Sequence, residues 1–125
     1  MDEKSKSVLR CDDDPLMRKL LCELLQSMGC TVAGEAVNGD QCIKLFNRLR
    51  PDMVLLDINM PGKNGLAALR EMRKARSTAK VVMLTAMDDV VIAESCLHNG
   101  AIGYIRKGEA VASMAEELQG FVDTF

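Results

Sequence analysis

The amino-acid sequence predicts an α/β domain built on a parallel sheet, and three observations carry the prediction. Short apolar runs alternate with longer amphipathic ones along the chain. The short runs are rich in Val, Ile and Leu and mostly lack polar alternation, which is how strands buried on both faces read. Capping and turn residues punctuate the boundaries, so strand and helix succeed one another without a break.

The first strand is expected over Ser7–Cys11. Asp14-Pro15 then places a capping carboxylate before a proline at the first helical position. A helix follows from Pro15 to about Met28, with Leu16, Leu20 and Leu24 recurring on one face. Gly29 suits the left-handed position beyond its last turn. Strands are expected over Thr31–Ala36 and Met53–Asp57, with a helix-length segment between them. Asn64-Gly65 supplies a turn before Leu66, Leu69 and Met72. A fourth strand covers Lys80–Thr85, and Asp88 caps a helix over Asp89–His98 that ends at Gly100. Gly103–Arg106 forms the fifth strand. The last helix, Ala110–Thr124, aligns Val111, Met114, Leu118, Phe121 and Val122. Residues 1–6 read as a frayed polar tail and 7–125 as one domain.

Composition narrows the function. A chain of 125 residues buries roughly two-thirds of its unfolded surface, so it needs neither disulfides nor a structural metal to fold. Lys and Arg total 16 against 18 Asp and Glu, so no basic excess argues for direct nucleic-acid binding. Arg70, Arg73, Lys74, Arg76 and Lys80 are expected to be a solvated helix face. No apolar run approaches the ~18 residues of a membrane span, and the charged start is expected to lead into a strand and not into the apolar core of a leader peptide. A cytoplasmic location is expected. The cysteines at 11, 22, 30, 42 and 96 are odd in number and lack C-x-x-C spacing. They are expected to be reduced, partly buried hydrophobes. Ligand spacing and the single histidine, His98, argue against zinc.

Open α/β sheets bind ligands beyond the carboxyl ends of their strands. Asp12-Asp13 ends the first strand, Asp57 the third and Thr85 the fourth, while the fifth leads to Lys107. Carboxylates ~5 Å apart repel by roughly 3 kcal/mol per pair at an effective dielectric near 20. Protonation, a cation or a metal relieves this. Oxygen donors suit Mg²⁺ or Mn²⁺, and an acidic cluster with a hydroxyl and an ammonium suits phosphoryl transfer. No Walker loop and no G-x-G-x-x-G follows the first strand, so the donor must be another protein or a small molecule. A carboxylate accepting the group would become an acyl phosphate.

Four segments carry a resemblance: Val8–Pro15 with its acidic triplet, Val54–Gly62 around Asp57, Val82–Ala86, and Gly103–Lys107. Together they resemble the receiver domain of two-component response regulators over about residues 7–124. The resemblance implies a flavodoxin-like, doubly wound five-stranded sheet of order 2-1-3-4-5 with five helices, an order that members of this family typify. It implies that Asp57 is the phosphoacceptor and that Asp13 binds Mg²⁺ directly, with Asp12 acting through water or from a second layer. Asp57 itself and the Asn59 carbonyl would complete the metal site. Thr85 and the Ala86 amide would contact the phosphoryl group, Lys107 would pair with it, and Tyr104 would move when Thr85 is drawn inward. Met87, two residues beyond Thr85, would overlook the phosphoryl group.

The implied partners are a sensor histidine kinase or phosphotransfer protein, and a target or second copy on the face of the fourth helix, fifth strand and fifth helix. The domain would be a signalling switch and not a conventional enzyme. Two positions depart from the family pattern. Gly108 stands where a cis-proline usually follows the lysine; a cis bond before a non-proline costs roughly 3 kcal/mol, so a trans peptide is expected. Arg10 occupies a usually aliphatic strand position and needs a partner, with Glu35 the leading candidate. These departures support the alternative of a pseudo-receiver, a phosphorylation-independent interaction module.

Overall fold

The apolar runs become β1 (Ser7–Cys11), β2 (Thr31–Ala36), β3 (Met53–Asp57), β4 (Val81–Thr85) and β5 (Gly103–Arg106). The computed structural model describes residues 5–86 and 90–124. The strands form one parallel sheet in the order β2-β1-β3-β4-β5, as the resemblance implies. Between them run α1 (Pro15–Ser27), α2 (Gly39–Leu49), α3 (Gly65–Ala75), α4 (Val90–His98) and α5 (Val111–Val122).

Local chemistry sets the helix ends. The Asp14 carboxylate accepts from the Leu16 amide at 3.0 Å, with Pro15 opening α1. Asn38 and Asn64 cap α2 and α3, each accepting an amide three residues on at 2.9 Å. Gly29 and Gly100 leave their helices with φ of 81° and 102°, a left-handed conformation cheap only without a Cβ. The cap expected from Asp88 lies outside the described residues.

Every residue of β3 and β4 is buried, as strands covered on both faces must be. Alternation divides the core. Val54, Leu56, Val81 and Met83 pack with Phe46, Leu69 and Met72 on one face. Met53, Leu55, Val82 and Leu84 pack with Leu21, Leu25, Met114 and Leu118 on the other.

Three expectations change. α1 buries Leu21 and Leu25, whereas Leu16 is 81% exposed. Leu20 and Leu24 of the expected stripe pack half-buried beside Leu21 and Leu25, so only Leu16 leaves the buried face. Cys11 and Cys42 are not reduced: they form a disulfide, with Cα atoms 6.0 Å apart, while Cys22, Cys30 and Cys96 are free. Their 31-residue separation conceals that β1 and α2 meet. The basic group on α3 is partly engaged. Arg73 donates to the Ala79 carbonyl and Arg76 to the Pro51 carbonyl, both at 3.2 Å. Arg76 also stacks 4.5 Å from the Phe46 ring centre.

Arg10 is fully buried and faces Glu35 across the β1–β2 ladder, where the two form the expected ion pair. Its Nε and Nη1 have no hydrogen-bond partner. Within the segment read as a tail, Lys6 is held: its Nζ donates to the Val122 carbonyl at 2.6 Å.

Candidate functional site

Parallel strands deliver their carboxyl ends to one rim, and the ladder continues just beyond them. The Asp12 amide donates to the Ala36 carbonyl at 3.0 Å, the Ile58 amide to Leu84 at 3.0 Å, and the Lys107 amide to Thr85 at 2.8 Å. These bonds fix the backbone of the residues that carry the chemistry. The Lys107–Gly108 peptide is trans.

Asp12, Asp13 and Asp57 converge, each offering one carboxylate oxygen, all within 4.8 Å of one another. Asp12 and Asp57 are buried and Asp13 is exposed. Asp12 Oδ1 accepts from the Asp14 amide at 2.8 Å. Its Oδ2 is buried without a hydrogen bond, 3.6 Å from Lys107 Nζ. Asp57 Oδ2 accepts from Lys107 Nζ at 2.9 Å, and Oδ1 from the Asn59 amide at 3.2 Å.

Burial pushes the Asp57 carboxyl up to about 6, and the Asp12 charge adds to the rise, against the Lys107 and Asn59 hydrogen bonds. Burial alone would lower the Lys107 ammonium, but Asp57 and Asp12 outweigh it and hold it above the usual lysine value. One ammonium therefore serves two buried carboxylates, leaving negative charge uncompensated. The donor set fits a hard divalent cation: it is all oxygen, and one buried oxygen lacks a hydrogen bond. A cleft of about 540 Å³ opens over it, lined by Asp13, Met17, Asp57, Asn59, Ala86 and Lys107.

Thr85 is buried beside this group, its hydroxyl donating to the Ala86 carbonyl at 3.1 Å. Tyr104 pairs in register with Met83, two residues before Thr85 on the same strand, and packs half-buried against the core. Sheet alternation places Thr85 and Tyr104 on the same face. Met87 lies outside the described residues.

Two contributors escape motif reading. The Asp14 amide orients Asp12, although the sequence marks Asp14 only as a helix cap. Gly65 lets α3 start directly against the end of the strand that carries Asp57: its amide donates to the Ile58 carbonyl at 2.8 Å, and a Cβ there would stand 2.4 Å from the Asp57 carbonyl oxygen. In the sequence it closes the Met60–Gly65 loop, which the family resemblance places beside Asp57, but nothing there marks so close an approach.

Residues 8–119 match the family described as the response regulator receiver domain. The chain is 42% identical to the protein CcdB of Bacillus subtilis over 100 residues, covering 80% of this chain and 83% of the relative. It is 34% identical to the response regulator GacA of Pseudomonas aeruginosa over 113 residues, 90% of this chain but only 53% of GacA, about half that protein's length. Among solved structures, the CheX–CheY–BeF₃–Mg²⁺ complex from Borrelia burgdorferi contains a similar chain, with a TM-score of 0.85 and 26% identity. That alignment covers 92% of this chain and 87% of the other.

Proposed function

The chain belongs to the response regulator receiver family, signalling domains of two-component systems, and we propose that it is a phosphoacceptor switch centred on Asp57. A sensor histidine kinase or phosphotransfer protein donates the phosphoryl group. An Asp57 carboxylate oxygen attacks phosphorus, the bond to the donor breaks, and its electron pair leaves with the donor. The product is an acyl phosphate on Asp57.

The chain's own residues prepare this step. Lys107 holds the Asp57 carboxylate at 2.9 Å and remains charged, so it can follow the negative charge onto the phosphoryl oxygens. Asp12, Asp13, Asp57 and the Asn59 carbonyl would hold Mg²⁺, or Mn²⁺, which supplies charge neutralisation at the transferring group. Thr85 exchanges its bond to the Ala86 carbonyl for one to a phosphoryl oxygen, and the Ala86 amide donates beside it. The space that Thr85 vacates lies on the face where Tyr104 packs, which gives the switch its second position.

Output is through the face of α4, β5 and α5, where Val91, Ile102 and Val111 are exposed and a target or second copy would dock. The Borrelia neighbour was solved with CheX, BeF₃ and Mg²⁺, which supports a partner-binding, metal-dependent reading. No helix among the described residues is long and apolar enough to cross a membrane, and we place the domain in the cytoplasm with its kinase partner.

The observation that carries the proposal is the buried Asp57 carboxylate, held by Lys107 beside the unpaired oxygen of Asp12. The test is intact mass after incubation with a small phosphodonor and Mg²⁺. Wild type should gain a phosphoryl adduct that Asp57→Ala lacks. An adduct of equal yield on the variant refutes the assignment, and no adduct on wild type with either kinase or small donor favours a pseudo-receiver.

A further inference from the structure

The Cys11–Cys42 disulfide lies in the core, both residues fully buried, and it joins two elements that bracket the acidic rim. Cys11 closes β1 and is followed directly by Asp12 and Asp13. Cys42 sits in the first turn of α2, its amide donating to the Asn38 carbonyl at 3.1 Å. That turn also packs on the loop beyond Asp57: a Cβ on Gly39 would stand 2.5 Å from the Lys63 carbonyl oxygen. Lys63 reinforces the contact through ion pairs to Asp40 of α2, at 3.5 Å, and to Glu71 of α3. The start of α2 thus touches both the strand that leads to Asp12 and Asp13 and the loop that follows Asn59.

We infer that this disulfide is a redox control on metal binding at the acidic rim, an inference that rests on the phosphoacceptor reading for its signalling consequence. Two thiols cannot approach as closely as two bonded sulfurs, so reduction demands room in a close-packed interior. β1 is held by ladders on both sides, to β2 and β3, so the start of α2 is the element that yields. Its outward movement loosens the Gly39–Lys63 contact and shifts the loop that follows Asp57, drawing the Asn59 carbonyl away from the carboxylates. The oxidised protein binds Mg²⁺ tightly and the reduced protein binds it weakly.

The oxidant is a low-molecular-weight disulfide such as oxidised glutathione. One cysteine thiolate attacks it, forming a mixed disulfide and releasing one thiol. The second cysteine thiolate then displaces the other thiol, closing Cys11–Cys42, and the two cysteine protons end on the two released thiols. The buried sulfurs become reachable when the first turn of α2 opens locally. In a reducing compartment, a disulfide of this kind is characteristic of redox sensing and not of permanent stapling.

The test equilibrates the protein at defined ratios of reduced to oxidised glutathione, then alkylates it and reads the thiol count by mass. Mg²⁺ affinity is measured by calorimetry in each state, with phosphoryl uptake from a small donor alongside. Oxidation should remove two alkylation sites and tighten Mg²⁺ binding ~5-fold or more, an ordinary coupling between two sites. Cys42→Ser keeps an unbonded atom against Cys11 and should bind Mg²⁺ weakly whatever the thiol ratio, whereas Cys42→Ala removes the crowding and should bind it tightly whatever the thiol ratio. Failure to form the bond, or Mg²⁺ affinities within about twofold of each other, overturns the inference. Equal affinities with normal uptake on Asp57 leave the phosphoacceptor reading standing. Redox-dependent affinity without uptake in either state overturns that reading and leaves control of the rim intact.

Discussion

Replacing Gly65 with alanine sets two effects of opposite sign against each other, and the structure decides between them. In an ordinary helix Gly→Ala stabilises by up to ~1 kcal/mol. At Gly65 the added Cβ would lie 2.4 Å from the Asp57 carbonyl oxygen, 2.7 Å from Ile58 Cα and 3.0 Å from the Asp57 carbonyl carbon. All three atoms are backbone, so none can rotate aside. The start of α3 must withdraw, stretching the 2.8 Å bond from the Gly65 amide to the Ile58 carbonyl. Overpacking of this kind costs typically 1–3 kcal/mol, and a weakened buried hydrogen bond adds ~1 kcal/mol. The net expectation is a loss of ~2 kcal/mol. At ~2.1 cal/mol/K per residue, a chain of this length loses roughly 8 °C of melting temperature for that amount. Because the crowded backbone carries Asp57, Mg²⁺ should protect Gly65→Ala less than wild type. Far-UV circular dichroism melts with and without Mg²⁺ provide the assay. Gly120→Ala is the control: the residue is exposed in α5 with nothing within 4 Å of where the new methyl group would stand, and it should gain ~0.5–1 kcal/mol. A Gly65→Ala melt at or above wild type would refute the close-approach argument.

Mg²⁺ should raise wild-type stability by about 1–3 kcal/mol at tens to hundreds of Kd, since it binds only the folded cluster; Asp13→Asn should lose most of that shift, and an equal shift would remove Asp13 from the ligand set. In EDTA, the raised Asp57 carboxyl means that the folded protein holds this proton more tightly than the unfolded chain. Its stabilising contribution is full below pH ~4 and is lost as pH rises through about 6. Asp57→Asn should therefore gain on wild type in melting temperature across that window, and parallel pH curves would count against a raised Asp57. Glu35→Ala leaves the buried Arg10 guanidinium without its ion-pair partner and should cost ~3 kcal/mol in urea unfolding, with Arg10→Met in the same chain restoring most of it. A loss below ~0.5 kcal/mol on Glu35→Ala would show that the pair contributes little.

Much of this protein is written in local chemistry. Five short apolar runs suffice for five strands, because a strand buried on both faces has to be apolar throughout. Asp14-Pro15, Gly29 and Gly100 mark helix ends because capping and left-handed backbone are properties of single residues and their neighbours. The acidic residues, Thr85 and Lys107 were legible as one group because parallel strands all end on the same side, so residues just past each strand must meet. The Arg10–Glu35 pair was legible for a related reason: a charge in an apolar strand demands a partner on the strand beside it.

Tertiary structure decided what depends on distance between segments or on the phase of a helix. Strand order is invisible to periodicity and entered through family resemblance. Leucines at 16, 20, 21, 24 and 25 offer α1 two adjacent stripes, and only the packed sheet decides that Leu21 and Leu25 are fully buried, Leu20 and Leu24 partly, and Leu16 left in solvent. The Cys11–Cys42 bond requires that the end of β1 and the start of α2 come together, which no spacing along the chain expresses. The same holds for the Asp14 amide on Asp12 and the contact of Gly65 with the backbone of Asp57. Residue type specifies which groups can do the chemistry; the folded backbone alone sets the sub-ångström clearances between them, because those clearances are sums over many elements packed at once.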